Sequence, residues 1–289
     1  LGNVYQRRGD LEQAEAMYHK SLETDGALEC KEGMASGYGN LGIVYQTRGD
    51  LGQAEAMYHK SLAIYEVLGL KAGMARDYGN LGLVYQSQGD LDKAEVMYHK
   101  SLNINEALGC KEGMASVYGN LGIVYKMWGE LDQAEVMYHK SLNINEALGC
   151  KEGIARDYGN LGIVYHARGD LDQAEVMHRK SLDIDEALGL KKAMANQYGN
   201  LGNVYLDRGD LDQAEVMYHK SLNINEALRC KEEMASVYGN LGGLYQTRGD
   251  LDQAEVMYHK GLDMFHAMGA KLKAQHAEAL LMKLLDKKS

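Results

Sequence analysis

Apolar residues recur along the chain at spacings of three and four, as in helices that bury one face, and the pattern is broken at regular intervals by a glycine. The stretch KAGMARDYGNLGLVYQSQGD puts Met74, Tyr78, Leu81, Gly82 and Tyr85 on one face of a predicted helix. The stretch that follows, LDKAEVMYHKSLNINEALG, does the same with Leu91, Ala94, Tyr98, Ser101, Leu102 and Leu108. Between them Gly89 tolerates the positive φ that closes a helix, and Asp90 can accept hydrogen bonds from the free amides opening the next. Gly109 ends the second helix. The predicted unit is therefore a pair of antiparallel helices joined by a tight turn.

Shifting the sequence by 40 residues lays it on itself with few mismatches, so units begin at Leu1, Leu41, Leu81, Leu121, Leu161, Leu201 and Leu241. Residues 1–270 read as about seven tandem repeats, the first truncated, and 271–289 as a closing helix that keeps the periodicity but loses the motif. In that tail Leu281, Leu284 and Leu285 supply a packing face, while Lys283, Lys287 and Lys288 point outward. The composition fits one short unit copied many times: 20 tyrosines stand beside a single tryptophan, a single phenylalanine and no proline. Arg229, in place of the usual glycine, is one of few irregularities.

Within this unit Tyr78, Leu81, Gly82, Tyr85, Ala94 and Tyr98 stand in the spacing W-x2-L-G-x2-Y, A-x3-F, with tyrosine for the tryptophan and the phenylalanine. The chain thus resembles the tetratricopeptide repeats over essentially its whole length. Two places depart from that pattern: Ser101 replaces the small alanine, and Glu106 replaces the closing proline, which lets the second helix run on and lengthens the unit. The YGNLG signature and the unit length look most like the spindle-orienting adaptors of the Pins/LGN group and many bacterial repeat proteins. The resemblance implies an all-α, right-handed superhelical solenoid of antiparallel helix pairs, with first helices lining a concave face that binds a protein or peptide in an adaptor or scaffold role. A ligand-sensing regulatory domain of a larger signalling protein, or a self-assembling structural repeat associating end to end, are the alternatives.

On that reading, selectivity belongs to first-helix residues that do not pack into the hairpin. Asn40, Asn80, Asn120, Asn160, Asn200 and Asn240 repeat at one place, and an asparagine is a poor helix former whose amide both donates and accepts. Similar adaptors use an asparagine here to hold a peptide main chain, although each Asn can equally bond within its own scaffold. The ladder ends where Leu280 takes its place. Spanning it would take roughly 15 to 25 residues of extended peptide. Gly79, beside Asn80, is assigned to groove space and Gly82 to packing. Ile43, Leu83, Ile123 and Ile163 form an apolar strip, and Lys126, Met127 and His166 vary one turn later. Arg76 and Arg156, each followed by an aspartate, can clamp a ligand carboxylate or pair with an acid of the scaffold. Trp128, unique to the fourth unit, is either a binding anchor or a cover for a gap between repeats.

Charge and the remaining motifs narrow the function class. A formal charge of -10 and a pI near 5.5 oppose nucleic-acid binding, and no stretch is apolar enough for a membrane span. Cys30, Cys110, Cys150 and Cys230 occupy the same place in their repeats, one or two units apart and too far for disulfides, so reduced thiols and a cytoplasmic setting are expected. His19, His59, His99, His139, His219 and His259 are likewise too far apart to share a metal ion. The recurring Arg-Gly-Asp, as at Arg48-Gly49-Asp50, reads as helix end, turn and cap rather than an adhesion motif. No phosphate loop, nucleophile elbow or metal motif appears, and neither cofactor nor enzymatic activity is expected.

Overall fold

A left-handed glycine closes most of the helices. At Gly89 (φ 83°) its amide reaches the Gln86 carbonyl at 3.1 Å and the Asp90 amide reaches back to Tyr85 at 2.9 Å, which satisfies carbonyls that the helix end leaves free. Asp90 then caps the next helix by accepting from the Lys93 amide at 3.3 Å. The computed structural model describes residues 1–288; the side chains of Lys287 and Lys288 fall outside the described residues.

Two compact units result. The first, Leu1–Gly149, contains α1 (Gly2–Arg7), α2 (Leu11–Ala27), α3 (Lys31–Arg48), α4 (Leu51–Leu68), α5 (Lys71–Gln88), α6 (Leu91–Leu108), α7 (Lys111–Trp128) and α8 (Leu131–Leu148). The second, from Cys150 onward, contains α9 (Lys151–Arg168), α10 (Leu171–Leu188), α11 (Lys191–Arg208), α12 (Leu211–Leu228), α13 (Lys231–Arg248), α14 (Leu251–Ala267) and α15 (Lys271–Lys288). Within the units α1, α3, α5, α7, α9, α11 and α13 each pack on the helix that follows, and α3, α5, α7, α11, α13 and α15 on the helix before. The chain is all-α, an array of antiparallel helix pairs.

Gly82 and Tyr98 form the tightest contact of a hairpin. Tyr98 is fully buried, and a Cβ on Gly82 would lie 2.5 Å from its ring. Ser101 donates to the Ala75 carbonyl at 2.7 Å, so the serine that replaces the usual alanine ties the two helices together instead of merely leaving room. Ser61 and Ser181 do the same with Ala35 and Ala155, each at 2.8 Å.

Successive hairpins are clasped on the other side. Tyr85 donates to Glu55 of α4 at 2.8 Å, Tyr125 to Glu95 of α6 at 2.7 Å, and Tyr205 to Glu175 of α10 at 2.5 Å. Arg208 joins the last of these through Glu175 at 2.6 Å, and Arg48 pairs with Glu15 in the same way. The arginine of the Arg-Gly-Asp triplet is therefore a structural clasp. Burial pushes the Glu175 carboxyl up, but hydrogen bonds from Tyr205, Arg208 and Arg179 outweigh it and hold the group down at about 2.

Several expected packing positions are corrected. Leu108 is 46% exposed and Leu285 41%, whereas Leu281 and Leu284 are buried against the preceding hairpin. Both exposed leucines stand near the end of their helix, past the reach of the neighbouring one. Met74 and Tyr78 are only half-buried, while Ala75, Asp77 and Val84 are fully inside, because a first helix wedged between two second helices has two buried stripes rather than one. The four cysteines precede first helices and all are free thiols.

Arg229 adopts φ 57° at a place where its counterparts are glycine except Glu29, which has φ 51°. A side chain there costs on the order of 1 kcal/mol, so Arg229→Gly is expected to raise the free energy of unfolding by about that amount in a denaturant titration. An unchanged midpoint would mean that the arginine has compensating contacts.

Candidate functional site

First helices are held apart by the second helix beneath them, and this leaves a niche between neighbours. Between α5 and α7, over α6, the cavity measures about 360 Å³ and is lined by Arg76, Gly79, Asn80, Leu83, Asn105 and Asn120 among others. Its counterpart between α9 and α11, over α10, measures about 320 Å³ and includes Arg156, Asn160, Ile163, Asp185, Gln197 and Asn200. At the start of the first unit Asn40 borders a cavity of about 500 Å³ with Leu1, Asn3 and Asp25. Near the end of the second unit Asn240 borders one of about 370 Å³ with Phe265, Leu272 and His276, and Leu280 lines it from α15.

The structure thus brings all six asparagines to niche walls. Each is half-buried, and the carboxamides of Asn40, Asn80, Asn120, Asn160, Asn200 and Asn240 form no hydrogen bond with another described residue. They form no hydrogen bond that holds the scaffold, and their donors and acceptors remain open. Gly79 fits the same picture, since a Cβ there would meet only the Ser101 Oγ, at 3.6 Å.

The arginines are more constrained. Arg76 places Nε 3.5 Å from the fully buried Asp77 and donates to the Tyr65 hydroxyl at 3.0 Å. Burial pushes the Asp77 carboxyl up, with Ser61 and Arg76 pulling the other way. Arg156 lies 4.0 Å from Asp157, also fully buried. Both guanidinium groups are about half exposed at the niche, so they serve the scaffold acid and still face outward.

Other expected positions lie elsewhere. Ile43 and Ile123 are half-buried but do not line these four cavities, and neither do Lys126, Met127 and His166. Lys126 is half-buried, which lowers the pKa of its amine; Met127 is 51% exposed. His166 Nε2 sits 2.8 Å from Asp207 of α11, an internal pair. Trp128 leans on Tyr125 with ring centroids 5.7 Å apart, where other copies use the clasp arginine, and it too is outside these niches. The buried polar floor at Asp77, Asn105, Asp157, Asp185 and Gln197 was not anticipated. Other copies carry apolar or small residues at the same places, such as Val117 and Gly37 for Asp77 or Tyr65 and Phe265 for Asn105, and that variation was the available signal.

The histidine row of the second helices is about half exposed, each imidazole near a glutamate one turn earlier, as His99 is to Glu95 at 3.8 Å. Among the described residues no three His, Cys, Asp or Glu side chains are placed to hold a metal ion.

The sequence profile described as tetratricopeptide repeat matches residues 1–67, 33–107, 72–147, 113–187 and 193–266. The chain belongs to the tetratricopeptide repeat family. Solved structures similar to this tetratricopeptide chain include BtubC from P. vanneervenii, at 26% identity over 76% of this chain and 92% of that one, with a TM-score of 0.67. A Rap protein complexed with Competence and Sporulation Factor is similar at 15% identity, over 89% of this chain and 75% of that one, with a TM-score of 0.64. A STAND signal-transduction ATPase with a tetratricopeptide repeat sensor, from Pyrococcus horikoshii, matches 95% of this chain with 41% of its own, at 17% identity and a TM-score of 0.74. The last two speak for the fold alone. No curated protein matches the sequence. As a tetratricopeptide array the chain is a protein-interaction module, and among the described residues no helix is long and apolar enough to cross a membrane.

Proposed function

We propose that the chain holds an extended or partly helical peptide along its first helices, in an adaptor or scaffold role. The observation that supports this most is the recurrence of an unpaired carboxamide on the wall of every niche described above. Paired donors and acceptors on Asn80 and Asn120 suit a peptide main chain, which offers both in alternation. Leu83 in the same niche gives an apolar side chain somewhere to rest, and Arg76 gives a carboxylate a partner at the rim. Asparagine is a poor helix former, so these positions carry a small stability cost that a binding role explains.

The test is a selection of peptides from a random library, followed by affinity measurement on the parent and on Asn80→Ala/Asn120→Ala. Losing two main-chain hydrogen bonds is expected to weaken binding by about tenfold or more. The same variant should melt no lower than the parent, because alanine favours the helix by several tenths of a kcal/mol at each place. Equal affinities would remove the ladder from the binding surface. A regulatory sensor within a larger protein is the second reading. It uses the same niches, and the STAND relative's repeats are named as a sensor.

A further inference from the structure

The niches are alike in shape but not in charge. Around the α5–α7 niche the only charged lining residue is Arg76, whereas the α9–α11 niche is lined by Glu152, Arg156 and Asp185, a change from +1 to -1. Asp185 carries the difference. It is 3% exposed, its Oδ2 has no hydrogen-bond partner, and no cationic side chain pairs with it. Arg156 does not fill that role, since its Nε is directed to Asp157 at 4.0 Å, and Lys192 is held by Glu233 at 2.7 Å.

The sister repeats show what this position does when it is only structural. Asn105 donates from Nδ2 to the Ser101 carbonyl at 3.0 Å, and Asn225 reaches Ser221 Oγ at 3.4 Å. An ionised aspartate has no such donor and can only accept, with the Ser181 hydroxyl beside it, so at 185 the chain has gained a buried charge. A buried carboxylate with one oxygen unpaired and no cation beside it is costly to the fold, and a cation delivered from outside is the group that relieves it.

We infer that the α9–α11 niche is a specificity subsite for a basic side chain, an arginine above all, of the bound peptide. This rests on the peptide-binding reading and adds a ligand class to one of its niches. A guanidinium presents five donors in a plane, and the niche offers the Asp185 carboxylate, Glu152 at the rim, and the carboxamide oxygens of Asn160 and Asn200 to receive them. Ile163 lines the same space and can cover the apolar stem. The α5–α7 niche, with Asn105 in place of Asp185 and Ala72 in place of Glu152, lacks this preference.

Nα-acetyl-arginine methylamide, its lysine analogue and its neutral isostere with citrulline are the probes, read by the Ile163 methyl resonance in NMR titrations of the full chain. The arginine probe is expected to give a saturable shift with a Kd on the order of millimolar, while citrulline leaves the resonance unmoved. In Asp185→Asn, which recreates the side chain of three sister repeats, binding should fall by about tenfold or more. The same variant should melt at or above the parent temperature, which separates lost recognition from lost folding. Binding of lysine alone would place an ammonium rather than a guanidinium in the subsite and overturn the arginine assignment. Equal response to citrulline, an undiminished response in Asp185→Asn, or no saturable shift would overturn the subsite as a whole. A working cation site in a chain that selects no peptides would sink the peptide groove and with it the subsite's peptide role, leaving only a guanidinium site, while selected peptides without a cation response would sink the subsite and leave the groove.

Discussion

Gly82→Ala is expected to destabilise the chain by roughly 2 kcal/mol, while Gly79→Ala, one helical turn away, is expected to stabilise it by up to about 1 kcal/mol. Both changes give the helix the same gain in propensity, so the difference in sign comes from what the new methyl meets. At Gly82 it would lie 2.5 Å from a ring carbon of Tyr98, whose side chain is fully buried and has no room to retreat. At Gly79 the nearest atom is the Ser101 Oγ at 3.6 Å, an ordinary contact. The methyl at 79 instead enters the α5–α7 niche, so the more stable variant should bind selected peptides more weakly. Denaturant titration of the two single variants reads the stability terms. A destabilised Gly79→Ala would show that this glycine belongs to the packing and not to the groove.

Acid is expected to weaken the second unit through His178 by about 3 kcal/mol on going from neutral pH to pH 4. His178 takes the place of Tyr98 in its repeat and is 1% exposed, with Nδ1 2.9 Å from Gln197 Oε1. Burial pushes its pKa from 6.5 down to about 4, although the Gln197 hydrogen bond works against the shift. Below pH 6.5 the unfolded chain therefore takes up a proton that the folded chain refuses, and stability falls until the folded imidazole titrates near 4. Buried Asp77 and Asp185 act in the opposite direction, because burial raises their pKa and the folded chain takes their protons first. Glu175, held at about 2, loses its contribution only as the pH falls below 4.5. These acids are common to the parent and to His178→Tyr, so the difference between the two isolates the histidine. That difference should grow in favour of the tyrosine variant from pH 6.5 to 4; a flat difference would place the imidazole in contact with water.

The helical hairpins were legible because their ends carry local chemistry. Glycine at positive φ with an aspartate after it, as at Gly89 and Asp90, marks a helix end and a start without any tertiary information. Tyr98 on Gly82 was legible as packing for the same reason, since a glycine inside a helix needs a neighbour to justify it. Burial of Asp77 and Asp157 was not legible. Aspartate beside arginine reads as a surface pair, whereas both acids are fully buried and the arginines half out; for Asp77 the wedging of α5 between α4 and α6 puts the acid inside. The asparagine positions were found by repetition alone, but the choice between a scaffold bond and an open carboxamide required the positions of all neighbours. The partner of His166 was not legible either, because Asp207 is 41 residues away and belongs to the next first helix.

The most direct test of a peptide site on the first helices is a crystal structure of the chain with a library-selected peptide. The account predicts main-chain hydrogen bonds of about 3 Å to the carboxamides of Asn80 and Asn120, with side chains of the peptide seated in the niches that these residues border. A peptide lying across the second helices, against His99 and Lys100, with the asparagines left to solvent, would contradict it.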